Sequence, residues 1–256
     1  MNRAKKEPAL ETQQLHAFPG FGPRALQFFD GLSRNNQREW FQQNQEVYEA
    51  EVQRPMAALV TALAAELATR GIPLTGDPRR SMFRIHRDVR FSRDKSPYKS
   101  HCGAVLTPDG NKNTQGLLYV HIAAEGSFTA AGFYHPAPDE LASLRRAIAT
   151  SPDRFQEIER ALKKSRLILG RDEALKRLPR GFEDVPSGPI AEALKLKSFV
   201  VQRELSEDAI GRPRLVKAIA DFATAALPLL SFGWEALGRG EAPVARGRSP
   251  RETAEG

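Results

Sequence analysis

The residues best equipped for chemistry lie between Arg79 and His101, in the run RRSMFRIHRDVRFSRDKSPYKSH. Eight Lys or Arg (Arg79, Arg80, Arg84, Arg87, Arg90, Arg93, Lys95 and Lys99) stand there against two acids, Asp88 and Asp94. The whole chain carries a formal net charge of +7, so almost all of its excess sits in this one segment. Concentrated like charge repels itself, and a fold that keeps it usually has an anionic partner for it. In an extended strand alternate side chains share a face, about 6.5 to 7 Å apart. Arg84, His86, Asp88 and Arg90 would then form one row, with Phe83, Ile85, Val89 and Phe91 turned to the core. Asp88 between two guanidiniums would hold both by charge-assisted hydrogen bonds and leave spare donors for a ligand.

The following stretch, Ser92 to Lys99, reads as a loop that Asp94 orders through an Asx-type turn. Lys95 and Lys99 are then expected near the end of the Arg84/Arg90 face, where Tyr98 re-enters the sheet, and Arg87, the one polar residue among those turned the other way, is counted with them as a ligand contact. Arginine supplies bidentate geometry and lysine a mobile point charge, a combination suited to phosphate or carboxylate. Arg38, at a helix start, would add donors to the same site. The expected ligand is therefore a phosphate-bearing or otherwise anionic molecule, with nucleic acid or a nucleotide foremost. A second reading makes the chain a phosphoester hydrolase or transferase with His86 and Asp88 as its acid–base pair. A third makes it a non-catalytic interaction module. A fourth leaves the charges as an ion-pair ladder that only keeps a sheet face soluble.

Other chemistries have less support. The lone Cys102 excludes an internal disulfide and a cysteine-based structural zinc site. His121 is expected to share the polar face of His86, where Arg neighbours would repel a metal cation and lower a histidine pKa; no metal site is assigned. No P-loop, dinucleotide glycine fingerprint, HExxH or paired-Cys motif occurs, so no cofactor is assigned. The N-terminal stretch lacks the apolar region of a secretory signal. The most apolar piece, Ala223 to Phe232, falls short of the roughly 18 residues that a membrane span needs. A cytoplasmic protein with no membrane contact is expected.

The elements that must position these residues follow from periodicity. Residues 1–17 and 238–256 are polar and expected to be disordered, which leaves one domain over 18–237. Pro23 suits the first turn of a helix carrying Leu26, Phe28, Phe29 and Leu32. Asn36 with Glu39 reads as a capping box for the next, in which Trp40, Asn44 and Tyr48 share a face. Pro55 ends or restarts that helix, and 56–70 continues helical to Gly71. The middle switches to period two: strands over 82–91, 101–107, 117–124 and 127–134, the last two joined at Glu125-Gly126. Helices return at Pro138 and Pro152, a strand over 198–205 follows, and a Pro213-initiated helix reaches about 237, kinked near Pro228. The expected fold is α+β, a mostly antiparallel sheet of about five strands with helices packed on one face.

Several of these motifs form a recognisable set. They are Asn35-Asn36-x-Arg38-Glu39-Trp40-Phe41, then Arg84-x-x-Arg87-Asp88-x-Arg90-Phe91-Ser92-x-Asp94-Lys95-x-Pro97-Tyr98-Lys99, then Ala131-Gly132-Phe133 with Pro136. With Leu178-Pro179-Arg180-Gly181-Phe182 and Leu196-Lys197-Ser198-Phe199 they resemble the bacterial and fungal domain-of-unknown-function family 2461, over roughly 18–230. The resemblance implies a single cytosolic α+β domain and brings with it no reaction, cofactor or catalytic residue.

Overall fold

A computed structural model describes residues 18–239. The tails expected to be disordered, 1–17 and all but the first two residues of 238–256, lie outside the described residues. Four helical pieces open the chain: α1 (Pro23–Arg34), α2 (Arg38–Gln43), α3 (Gln45–Val47) and, after a π-helical stretch Tyr48–Gln53, the long α4 (Arg54–Thr69). Pro23 occupies the first turn of α1 as expected. Pro55 stands in the first turn of α4. Its ring leaves no N–H to donate, and the widened turn just before it lets the helix pass through rather than stop.

After the short α5 (Pro78–Ser81) come β1 (His101–Leu106), β2 (Leu117–Ala123) and β3 (Ser127–Phe133). Then follow α6 (Pro138–Thr150), α7 (Pro152–Lys164), α8 (Pro189–Leu194), β4 (Phe199–Leu205), α9 (Glu207–Ile210) and α10 (Leu215–Ala236). The strands form one open antiparallel sheet in the order β1-β2-β3-β4. One face buries Leu118, Val120, Ile122, Ala131, Phe133, Phe199 and Val201 in a core shared with α4 and α10. The other carries His101, Gly103, Tyr119, His121 and Phe128, of which His121 stands opposite both Gly103 and Phe128. In β3, Gly132 has φ 138°, and a Cβ there would meet the Phe199 carbonyl oxygen at 2.0 Å. Only glycine lets β3 and β4 approach so closely, which explains the Ala131-Gly132-Phe133 motif physically.

Four expectations change. The sheet has four strands, not five, because residues 82–91 make only isolated bridges, Met82 to Ala104 and His86 to Tyr98. Pro97, facing this segment, has no N–H to extend a ladder. The apolar side of the segment does not reach the core as a unit: Ile85 is buried, but Phe83 and Phe91 are exposed. The cap of α2 is Gln37, not Asn36, since the Asn36 side chain is engaged elsewhere. Finally, α10 is one helix of 22 residues with Pro228 inside it, and by length and composition it is long and apolar enough to cross a membrane. It extends beyond the apolar run Ala223–Phe232, and Leu215, Ile219, Phe222, Leu230 and Trp234 on it are buried in the core.

A tight seam also lies between α10 and β3, where a Cβ on Gly233 would lie 2.1 Å from the Phe133 ring. Phe133 is fully buried and has nowhere to move. Overpacking costs about 1–3 kcal/mol, which outweighs the ~1 kcal/mol that alanine gains over glycine inside a helix. Gly233→Ala should therefore lower the urea midpoint. A midpoint that rises would mean the seam is looser than described.

Candidate functional site

The cationic segment forms an arm lying beside the sheet. Its two limbs are joined by Arg87 N–H to Pro97 O at 2.9 Å and Lys99 N–H to Ile85 O at 2.8 Å. Phe83 N–H reaches Gly103 O of β1 at 2.9 Å, which fixes the foot of the arm. At Tyr98 the backbone turns away from the partner limb and meets Asn36. The Asn36 amide donates to Tyr98 O at 2.9 Å and accepts from Tyr98 N–H at 3.0 Å. The buried Tyr98 ring stacks on Phe41 with centroids 4.3 Å apart. The two motifs Asn35–Phe41 and Arg84–Lys99 are thus the two halves of one joint.

The arm satisfies several of its own charges. Asp88 receives Arg90 at 2.9 and 2.7 Å; it pairs with Arg90 rather than bridging Arg84 and Arg90, because Arg90 folds back two residues. The Arg90 guanidinium beside it holds the Asp88 carboxyl below its ordinary range. Arg87 pairs with Asp94. Asp94 also accepts from the Ser96 hydroxyl and N–H, at 2.6 and 2.9 Å, which is the expected Asx-type turn. The Ser96 hydroxyl first, and then Arg87, hold its carboxyl far below the usual carboxylate range.

The lysines serve the backbone. Where a sheet strand would have had a neighbour, the arm has unpaired carbonyls, and ammonium groups meet them. Lys99 Nζ donates to Arg84 O at 2.8 Å, Lys95 Nζ to Val89 O at 3.0 Å, and Lys112 Nζ to Met82 O. Each ammonium has three donors, so each keeps two free of these bonds. Lys99 and Lys112 also lie over the Phe83 ring, 5.5 and 5.3 Å from its centroid. Burial lowers the Lys99 pKa. Burial first, then the charges of Arg84 and Lys99, lower that of Lys112. Among the described residues no carboxylate forms an ion pair with Arg84, Lys99 or Lys112, whereas Arg87 and Arg90 each have one.

The remaining sequence candidates are dispersed. His86 is exposed beside Tyr98, ring centroids 5.2 Å apart, and it lines a cleft of about 360 Å³ with Arg79, Arg84, Phe41 and Glu49. It makes no hydrogen bond to Asp88. Arg38 is exposed at the first residue of α2, outside that cleft. His121 does not join His86. Its Nδ1 lies 3.0 Å from the Tyr119 hydroxyl, and its ring is stacked between His101 and Phe128, at 4.3 and 4.6 Å. No group of three or more His, Cys, Asp or Glu side chains converges among the described residues.

Residues 24–232 match a family model described as a conserved hypothetical protein family, DUF2461. The chain belongs to this family. No curated protein and no solved structure matches it. Within the DUF2461 fold, sequence reasoning missed Lys112, and it expected His121 beside His86 where the structure sets it against Tyr119 and His101. Lys112 sits in a polar loop after β1, and only the fold brings it over Phe83. The open-face residues were visible as alternation in β2, where Tyr119 and His121 interrupt Leu118, Val120 and Ile122.

Two outcomes test this geometry in the DUF2461 chain. Asn36→Ala orphans both backbone groups of Tyr98, and each buried unpaired group costs about 1–3 kcal/mol. The urea midpoint should fall and the Tyr98 amide should exchange much faster with solvent; unchanged exchange would refute the joint. The second concerns pH. Burial, and then His101, push the His121 pKa from its usual 6.5 down to about 4. The unfolded chain therefore binds more protons than the folded one between those values, so stability rises with pH through that window and falls as pH drops from 6.5 toward 4. The lowered Asp88 and Asp94 contribute stability that is lost only below their ordinary 3.8. His121→Gln should flatten the urea midpoint between about pH 4 and 6.5, and an unchanged slope would assign that dependence to other groups.

Proposed function

We propose that this protein binds a phosphate-bearing anion, a nucleotide or nucleic acid, at the foot of the arm, with Arg84, Lys99 and Lys112 as its contacts. Arg87, Arg90 and Lys95 extend the same polarity toward the tip. The observation that carries this reading is the gathering of two ammonium groups on one phenyl ring beside a guanidinium, with no carboxylate paired to any of the three among the described residues. Burial first, and then the charges of Arg84 and Lys99, lower the Lys112 pKa, so the protein on its own disfavours such a cluster. A bound polyphosphate adds an attraction to each of the three cations that offsets their mutual repulsion. Arg84 supplies the planar fork and the lysines the point charges, each with donors to spare.

The ion-pair ladder accounts for Arg87 and Arg90, which have their own carboxylates, but not for this trio. Acid–base catalysis by His86 and Asp88 gains no support, because Asp88 is committed to Arg90 and the two side chains share no hydrogen bond. A cytoplasmic location belongs to the same reading, since nucleotides and nucleic acids are available there.

Calorimetric titration with tripolyphosphate tests the proposal. Saturable binding is expected, weakened about tenfold or more by Arg84→Ala, since a hydrogen bond to a charged group contributes about 1.5–3 kcal/mol. Arg34→Ala, on α1 and paired with Asp30, should leave it unchanged. Because the Lys99 and Lys112 pKa values are lowered from 10.5, the ammonium charge is lost earlier on the alkaline side, and affinity should decline before the pH reaches that ordinary lysine value. No binding, or full binding by Arg84→Ala, would defeat the assignment.

A further inference from the structure

The arm ends in a feature that the anion site does not use. Phe91 stands 96% exposed at its tip, between Arg90 on one side and Arg93 and Lys95 beyond Ser92. A phenyl ring in water forgoes the burial that phenylalanine normally contributes. Among the described residues no other aromatic ring packs on it; its one ring contact of note is the Arg90 guanidinium, 5.9 Å from the centroid. Arg93 makes no ion pair among the described residues, and Lys95 spends one donor on Val89 O. From Phe91 back to the pairing of Ile85 with Lys99 is six residues, a reach of at most about 20 Å. Along that length cationic side chains continue from tip to foot.

Resting on the anion site at the foot, we infer that the ligand is a single strand of DNA or RNA, laid along the arm with one base stacked on Phe91 and its phosphates running down to Arg84, Lys99 and Lys112. A single strand offers both things the arm offers partners for: a π-face on every base and a phosphate at every nucleotide. A duplex hides its base faces in the stack and would leave Phe91 idle. A membrane surface fits less well, because one ring is a single shallow anchor and stable attachment takes two. The exposed ring lies on one segment with Arg84, Arg93, Lys95 and Lys99, none of them in an ion pair among the described residues, and Lys112 joins from the loop after β1, an arrangement that suits a threadlike ligand.

Fluorescence anisotropy with a labelled oligothymidylate of about 15 nucleotides tests this on the full chain, using wild type, Phe91→Ala and Phe91→Trp. Phe91 packs against nothing that the fold needs, so both variants should fold. Phe91→Ala should weaken the oligonucleotide about fivefold to a hundredfold, Phe91→Trp should restore it, and tripolyphosphate binding should be equal in all three. The wild type should prefer the single strand over a duplex of the same length. Wild-type affinity retained by Phe91→Ala, equal affinity for the duplex, or a Phe91-dependent signal only with phosphatidylserine vesicles would each overturn the inference. Tripolyphosphate bound without any oligonucleotide binding overturns this inference alone; neither ligand bound overturns the anion site as well.

Discussion

One side-chain amide ties the middle of the arm to the N-terminal helices, as the Phe83–Gly103 bond ties its foot to the sheet. Tyr98 is buried, so its N–H and C=O must find partners inside the fold, and no strand lies on that side to provide them. Asn36 supplies a donor and an acceptor in one planar group, as a neighbouring strand would. Phe41, five residues further on and inside α2, stacks on the Tyr98 ring. The backbone bridge and the ring stack come from one short stretch of α2 and its approach, and that stretch is itself positioned by Phe28, whose ring packs against Phe41, Trp40 and Tyr48. Displacing Asn36 would therefore cut the arm from the aromatic cluster of the N-terminal helices as well as from a hydrogen-bond partner.

An arm with no further strand beside it has a problem that ordinary strands lack: its outward carbonyls are unpaired. Lys95, Lys99 and Lys112 answer it from three different places in the sequence. The structural role and the proposed ligand role do not compete, because an ammonium bonded once still offers two donors. They reinforce one another, since tethering by a carbonyl reduces the rotamer entropy that a free lysine would lose on binding. Phe83 does the same for Lys99 and Lys112 from below, its ring quadrupole favouring cations over its face. The arginines divide differently. Arg87 and Arg90 are held by Asp94 and Asp88 and rigidify the tip, while Arg84 keeps its fork uncommitted among the described residues.

Where local chemistry decides, the sequence was legible. Prolines at the first turns of α1, α6 and α7, the Glu125-Gly126 turn and the alternation in β2 all placed their elements to within a residue or two. The stretch 82–91 shows the limit of that reasoning. Its alternation is real in one sense: Ile85, Arg87 and Val89 are less exposed than Arg84, His86, Asp88 and Arg90. Alternation reports side-chain direction, however, and a ladder needs a neighbour with N–H groups to offer, which Pro97 on the opposite limb does not. Asn36 went unrecognised for a related reason. A helix-start Asn before Glu39 satisfies the capping pattern, and nothing in the local sequence reveals that a backbone 62 residues away bids for the same amide. Lys112 carries no motif, so only the tertiary fold could assign it.

The open sheet face adds a last constraint on the same region. His101 and His121 are stacked at 4.3 Å, and burial pushes both toward the neutral form, with Lys99 adding to the effect on His101 and His101 to that on His121. Two imidazolium ions at that separation, next to an ammonium, would repel at close range in a partly desolvated setting. Near neutral pH the positive charge at the foot of the arm therefore belongs to Arg84, Lys99 and Lys112 and not to imidazole. The imidazoles of His101 and His121 serve instead as aromatic filling, His121 lying against Phe128 and Tyr119. Burial lowers the pKa of Lys99 and Lys112 as well, so the charge of this corner diminishes first on the alkaline side, where the lysines begin to discharge.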